Sequence, residues 1–431
     1  MKTKMTFSAT GDSFITRRLP SKNVSFEEIK SIIQMAEAKF TNLEVTAHNQ
    51  EGFPSAQSGG TWAITSPEVL NDIKDYGFNL IAWANNHTLD YSYGGLKATE
   101  RYLNQYGFVH AGAGKNLASA STPKYLDCPS GRVALIAATS SFHESWIAGE
   151  QRRDVIGRPG VNPLRVVTTY NVTSEDFNHL QGIADDVEIN AYDNLIRKEG
   201  FLSGLDEGVF MFGKYTFKKS NYNGVTTEPV EKDMQRIIKA IFQARRQADY
   251  VIVSIHSHQI KGKNKEQPAD FLITAARSCI DAGADAVIGH GPHVLRGIEI
   301  YKNRPIFYSL GNFIFQSETV SNLPADFYEK YGLGHEDDVV DALDKRSGNG
   351  TKGLAKNPEA WKSVIPVWTM EDSELKEIKL YPIELGYGLP GYKSGWPALS
   401  RDNEISESLR KLSRPFNVDI KINDNIGIIK L

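Results

Sequence analysis

Along the first 145 residues, short apolar runs alternate with stretches whose apolar positions recur every three or four residues. MTFSATG, AKFTNLEVT, FNLIAWA and VALIAATS read as strands, being short, apolar and rich in β-branched and aromatic residues. SFEEIKSIIQMAEAK, SPEVLNDIKDYG and GGLKATERYLNQYG read as amphipathic helices between them. Ser25 and Glu28 offer a capping box to the first helix. Pro67 in the first turn and Gly77 at the stop bracket the second. The order βαβαβαβ predicts parallel pairing with helices on both faces.

The rhythm fails between residues 146 and 227, where WIAGEQRRDVIGRPGVNPLR and the polar, aromatic-dotted segment after it show no clean period. This stretch is expected to be an insertion packing over one end of the sheet. The pattern resumes with PVEKDMQRIIKAIFQARRQ as a helix, YVIVSIH as a strand, PADFLITAARSCIDAG as a helix and ADAVIG as a strand. IEIYKNRPIFYSLG then predicts a hairpin turning at Lys302 and Asn303. After a polar stretch from 317 to 360, VIPVWTM and LKEIKLYPIEL read as strands, and VDIKINDNIGIIKL as a closing hairpin. The expected division is a core over 1–316, with the insertion at 146–227, and a C-terminal extension over 317–431 whose hairpins pack on that core.

Composition changes this picture little. With 431 residues, 40% hydrophobic and 23% charged, and a net charge of −3, the chain reads as soluble and globular. It lacks the clustered basic excess of a nucleic-acid surface. No stretch approaches the apolar length of a membrane span, and MKTKMTFSATGD runs straight into a strand. A cytoplasmic protein without a secretion signal is therefore expected. Cys128 and Cys279 have no CxxC or Cys/His neighbourhood, which argues against a disulfide framework or thiolate zinc site. Cys279 shares an apolar helix face with Leu272 and Ala276 and reads as core.

The candidate chemistry lies where strands end, since open α/β sheets bind ligands at the carboxyl ends of their parallel strands. The first predicted strand ends in Gly11-Asp12, and the second carries Asn42-Leu43-Glu44. The third ends in Asn85-Asn86-His87 with Asp90 close behind. Two later strands end in His256-Ser257-His258 and in the sequence GHGPH, which holds His290 and His293. Five of the ten histidines thus gather at three strand ends, joined by carboxylates from two others. Imidazole with carboxylate and amide oxygen suits one or two divalent ions of Zn, Mn or Fe, and either Asp12 or Glu44 is able to bridge two ions. In GHGPH, Gly289 and Gly291 are expected to let the backbone turn tightly, and Pro292 to stiffen it.

The succession GD, NLE, NNHxLD, a strand ending in His, and GADAVIGHGPHVLRGIEIYKNRPIFYSLGNFIF resembles the CapA family of poly-γ-glutamate (capsule) synthesis proteins. The resemblance covers about residues 5 to 316 apart from the insertion. It implies a calcineurin-like metallophosphatase fold, layered α/β/β/α. It further implies Asp12, Glu44, Asn86, His256, His290 and His293 as metal ligands, His87 as general acid and Asp90 as the group orienting it. The activity it implies is hydrolysis of a phosphoester or related bond by metal-activated water. The alternative is a non-catalytic accessory role that binds an anionic polymer such as polyglutamate, or a membrane-bound synthase partner at the cell envelope. Two positions depart from the metallophosphatase pattern: Phe14 stands where the first motif carries a histidine, and Glu44 where the second carries an aspartate.

Other rim residues are weaker candidates for substrate contact. His258 lies two beyond His256, on the same face of a continuing strand, and reads either as ligand or as substrate contact. Arg17, beside Arg18, meets an anionic substrate or is simply solvated. His143 ends its strand at the same rim, and Arg158, with Asn162, lies in a loop placed to cover the site. Asn312 in YSLGNF is expected to brace the metal loops.

Overall fold

The computed structural model describes residues 4–21 and 23–431. Strands β1 (Lys4–Phe14), β2 (Ala38–Leu43), β3 (Leu80–Ala82) and β4 (Val109–Ala111) pair in parallel in that order. Helices α1 (Phe26–Ile33), α2 (Val69–Tyr76) and α3 (Ser92–Gln105) connect them. A second sheet holds β5 (Lys124–Cys128), β6 (Gly131–Thr139), β7 (Tyr250–His256), β8 (Ala286–His290), β9 (Ile298–Tyr301) and β10 (Arg304–Phe307). Helices α4 (Glu231–Arg245) and α5 (Asp270–Asp281) cover it. The chain then returns to the first sheet through β11 (Asn312–Phe315), β12 (Lys362–Glu371), β13 (Glu374–Glu384), β14 (Lys421–Asn423) and β15 (Ile426–Lys430).

The two sheets face each other, so each has helices on one side only. Alternation along the strands explains this. Met5, Phe7 and Ala9 of β1, Phe40 and Leu80 point toward Val133, Leu135, Tyr250, Ile252, Ile288 and Phe307 of the second sheet. Phe7 packs edge-on to Tyr250 at 5.2 Å and stacks on Trp368 at 5.2 Å. The intervening residues Ala134, Ile136, Val251 and Val253 face outward against Ile237, Ile241, Phe271 and Cys279. The result is an α/β/β/α sandwich, as the motif resemblance implied, where pattern alone had predicted one sheet with helices on both faces.

Several local predictions fare differently. The turns at Lys302–Asn303 and Asp424–Asn425 carry positive φ at both residues, as two-residue hairpins require. Gly77 caps α2 in the left-handed conformation at φ +105°. Ser25, however, makes no side-chain cap bond. The segment from 146 to 227 forms part of a four-stranded sheet (Val166–Val172, Val209–Phe212, Tyr215–Lys219, Gly224–Pro229) with helices Ser174–Asp186 and Ala191–Lys198. Its strands are short and half-exposed, which leaves little period to read. Both cysteines are free, and burial pushes the Cys279 thiol up to about 12. No helix among the described residues is long and apolar enough to cross a membrane.

A buried ion network ties that four-stranded sheet to α4. Asp233 accepts from the Arg165 backbone N–H at 2.9 Å, from its Nε at 2.8 Å and Nη2 at 2.9 Å, and from Arg236 Nη1 at 2.7 Å. Burial acts to raise the Asp233 carboxyl, but the bonds from Arg165 and Arg236 prevail and hold it below its ordinary range. Asp233→Asn is expected to lower stability by roughly 2–4 kcal/mol near neutral pH, because two guanidinium groups lose their partner. A depressed folded-state value means the contribution is full above the unfolded carboxylate's pKa of about 3.9 and disappears as pH falls through the folded value. Thermal unfolding of both proteins from pH 7 to 3 checks this: the gap between them should narrow only below about pH 4.

Candidate metal centre

Strand register assembles the cluster. Across β7 and β8, His256 and His290 are direct neighbours, and on the first sheet Asp12 lies beside both Asn42 and Asn312. Because the sheets are stacked, these strand ends converge, and every side chain concerned is buried. Asp12 Oδ1 lies 3.2 Å from His290 Nδ1 and 3.6 Å from His256 Nδ1, and those two nitrogens are 2.9 Å apart. The other nitrogen of His256, Nε2, is 3.6 Å from Glu44 Oε1 and 3.1 Å from His258 Nε2. His293 Nε2 is 3.9 Å from the same Glu44 oxygen.

Three overlapping donor groups follow, each with its ligand atoms within 4.8 Å of one another: Asp12, His256 and His290; Glu44, His256 and His258; Asp12, Glu44 and His293. The electrostatics fit a cation. Both carboxylate oxygens of Glu44 are buried with no hydrogen-bond partner, and so is Oδ1 of Asn86, whose Nδ2 donates to the Gly59 carbonyl at 3.0 Å. Burial raises the Glu44 carboxyl well above its usual range, with Asp12 and Asp90 adding to it. Burial also drives His256 down to about 4 despite Asp12, and His258 further below its ordinary value. Asp12 goes the other way: burial acts to raise it, but the bonds to His256 and His290 hold it well down. Acceptors without donors and imidazoles kept neutral are the electronic state in which such groups bind a divalent ion.

Surrounding polar groups fix the donors. Asn42 Nδ2 donates to Asp12 Oδ1 at 2.7 Å, and the Gly291 N–H to Asp12 Oδ2 at 2.8 Å. Ser254 Oγ lies 2.7 Å from His290 Nε2. Asn312 Oδ1 lies 2.8 Å from His293 Nδ1, while Asn312 Nδ2 donates to the Ala360 carbonyl at 2.8 Å. Burial lowers His293; Asp12 and Asn312 oppose this, and nearby His87 and Lys265 add to it. Asn85 bridges to the neighbouring turn, donating to the Leu43 carbonyl at 2.7 Å and accepting from the His87 N–H at 3.0 Å.

His87 and Asp90 form a buried pair, Nδ1 to Oδ2 at 2.6 Å. Asp90 also accepts the N–H groups of Gly59 at 3.0 Å and Ala63 at 2.8 Å. His87 also lines a chamber of about 220 Å³, together with His293 and Phe14. Phe14, standing where an imidazole was expected, packs edge-on against His87 at 5.2 Å and walls the chamber.

The rim candidates divide. His258 lies within the cluster. Arg17 spends its guanidinium on the carbonyls of Tyr392 and Ser394, the latter at 2.6 Å, and lies over Trp396, so it pins the C-terminal extension. Arg158 donates from Nε to the Ile147 carbonyl at 2.9 Å and holds its own loop, and buried Asn162 donates to the Ala137 carbonyl of β6 at 2.8 Å and ties the loop to the sheet. His143 is exposed and caps a short turn through Ser145. Sequence reasoning passed over Arg346 and Lys352, which line the chamber from 317–360, a stretch without periodic signal.

GHGPH needs its glycines for two different reasons. Gly289 lies inside β8, and a Cβ there would sit 2.4 Å from the Tyr308 carbonyl oxygen, so it serves close strand approach and not the turn expected of it. Gly291 does turn the chain, at φ +116°, and His293 follows at φ +60°, a strained value for a non-glycine residue.

The family model described as "Bacterial capsule synthesis protein PGA_cap" matches residues 6–317. The chain is 36% identical over 440 residues to the uncharacterized protein y4sH of Sinorhizobium fredii, covering 99% of this chain and 93% of that one. It is 26% identical over 290 residues to the PGA biosynthesis protein CapA of Bacillus subtilis, covering 67% of this chain and 56% of that one. A probable polyglutamine synthesis accessory protein of Mycobacterium tuberculosis is 27% identical over 263 residues, covering 60% of this chain and 47% of that one.

Gly291→Ala would place a Cβ 2.9 Å from the Ser257 nitrogen and 3.1 Å from His256 Nε2, at a φ alanine rarely adopts. It is expected to cost about 1–3 kcal/mol and to displace the imidazoles on either side. Thermal unfolding alongside metal content should show both losses together.

Proposed function

The chain belongs to the bacterial capsule synthesis protein PGA_cap family, and from that premise we propose that it is a metal-dependent hydrolase. The bond it cleaves is a phosphoester, or a related amide or anhydride, in cell-envelope or poly-γ-glutamate metabolism. The observation that carries the reading is the pair of buried carboxylates, Asp12 and Glu44, among four imidazoles, with both Glu44 oxygens unpartnered. Such a donor set favours one or two ions of Mn, Fe or Zn, held by Asp12, Glu44, Asn86, His256, His290 and His293. A bound ion would supply Lewis acidity and a nucleophilic water at neutral pH.

The rest of the chemistry belongs to the chain. Asp90, already accepting two backbone N–H groups, fixes the His87 ring through Nδ1. That leaves Nε2 as the nitrogen able to pass a proton to a leaving group in the chamber. Asp90 is thus a positioning residue and His87 the proton donor. Phe14 and Phe315 supply the apolar part of the chamber wall, Phe14 against His87 and Phe315 against His293.

A second reading is favoured by one observation, the phenyl ring of Phe14 where the first motif's histidine would stand. On that reading the protein is a non-catalytic accessory component that binds the anionic polymer or a membrane-bound synthase.

Elemental analysis separates the two. Purified protein reconstituted with Mn, Fe or Zn should carry roughly one to two equivalents, and His290→Ala should lose most of them. In the loaded protein, His87→Ala should lower turnover of an activated phosphoester by about 10²–10⁴-fold with metal content unchanged. Absence of metal in both proteins, or full turnover in His87→Ala, moves the assignment to the accessory reading.

A further inference from the structure

From Glu51 to Ala63 the chain forms neither helix nor strand, yet it carries the groups that grip the His87–Asp90 pair. The Gly59 N–H donates to Asp90 Oδ1 at 3.0 Å and the Ala63 N–H to Asp90 Oδ2 at 2.8 Å, so both oxygens are held from two points of one loop. The Gly59 carbonyl accepts from Asn86 Nδ2 at 3.0 Å. The loop also abuts the imidazole, since a Cβ on Gly59 would lie 2.8 Å from His87 Cε1. A segment with no regular ladder of its own keeps such positions only where other elements hold it.

That support comes from the C-terminal extension, beyond the matched family segment. Thr61 and Trp62 lie between the two gripping N–H groups, and both are buried. Arg346, near the end of helix Val339–Ser347, donates from Nη1 to Thr61 Oγ1 and from Nη2 to Glu318 Oε1, the latter at 2.6 Å. Phe327 lies under the same guanidinium at 6.0 Å and meets the Trp62 ring edge-on at 6.4 Å. One planar fork thus joins loop and extension, where a lysine would reach a single partner. With Glu318 on one arm and Thr61 on the other, Arg346 latches the extension onto the core and is not a free contact for an anion.

We infer that Arg346 is a positioning residue: it fixes the 59–63 loop and, through the Gly59 and Ala63 N–H groups, sets Asp90 and with it the His87 ring. The inference rests on the reading of His87 as proton donor. A displacement of Thr61 moves both N–H groups that hold Asp90, so loss of the latch is felt at the imidazole although Arg346 is remote in sequence. The extension then completes the proton-transfer geometry from outside the segment that carries the motifs.

The test compares the full chain with Arg346→Ala, Arg346→Lys and Thr61→Val. Thr61→Val keeps the Glu318 pair and loses only the hydroxyl, so it stands in should Arg346→Ala fail to fold. Amide hydrogen exchange reads the loop without metal or substrate: exchange at Gly59 and Ala63 should quicken about tenfold in all three variants, with the strands of both sheets unchanged. In Mn-loaded protein, kcat on para-nitrophenyl phosphate should fall about tenfold, with KM and metal content close to the parent's. Arg346→Lys retains an ion pair with Glu318, so it should keep the parent's melting temperature and still show both losses; a merely structural latch would be rescued by it. Arg401→Ala, which cuts an exposed tie from the extension to Glu28 at 2.8 Å, should leave exchange and kcat as they are. Unaltered exchange at Gly59 and Ala63 in Arg346→Ala and Thr61→Val overturns the inference, as does parent-like kcat in both where His87→Ala is impaired. Quickened exchange in a protein that takes up no metal and turns over no ester supports the latch while the hydrolase reading falls.

Discussion

Two carboxylates without solvent, Asp12 and Glu44, set the terms for everything around them. Isolated charges of like sign cannot both stay ionised in a dry interior, so one must take a proton or both must share a cation. The surroundings suit the second outcome, since the donor groups could hold a metal ion. Four imidazoles supply nitrogen, and burial pushes three of them, His256, His258 and His293, toward the neutral form, while the amides of Asn42 and Asn312 hold the Asp12 carboxylate and the His293 ring. Glu44 is left with both oxygens unpartnered, a costly state for a structural residue and an ordinary one for a ligand.

The fold makes that arrangement affordable through register. β1 is met by β12 along its first half and by β11 along its second, so Asp12 has Asn312 on one side and Asn42 on the other. The close passage of β1 past the following loop depends on two glycines, since a Cβ on Gly11 would overlap the Gly311 carbonyl. On the opposite sheet, the pairing of β7 with β8 sets His256 beside His290. Neither sheet alone contains the site, which exists because the apolar faces of both pack against each other behind it.

Two parts of the chain meet at the chamber. The donors and the His87–Asp90 pair sit on strand ends and short turns of the matched family segment, where packing holds them rigid. The extension closes on this segment through Arg346, whose Nη2 donates to Glu318 Oε1 at 2.6 Å, while Arg296 clamps the hairpin that follows His258. Arg17, chosen from sequence as an anion contact, belongs to the same latching system, its guanidinium consumed by carbonyls of the extension.

Sequence by itself determined most of the elements, the short hairpin turning at Lys302–Asn303 and the closing one, and the residue types of the cluster. Those depend on local period, on positive φ at Lys302–Asn303, and on polar groups appearing abruptly at the ends of apolar runs. Local period alone did not separate one sheet from two, because a strand buried on both faces reads the same whether helices or another sheet cover it; the motif resemblance did, since it implied the α/β/β/α layering that the structure has. Nor could the sequence assign Gly289 to close strand contact, leave Ser25 without its capping bond, or find order in 146–227, since each depends on neighbours far away in the chain. Arg346 and Lys352 carry no motif at all. Only the tertiary structure brings them to the chamber wall, because a contact between distant segments leaves no periodicity along the chain.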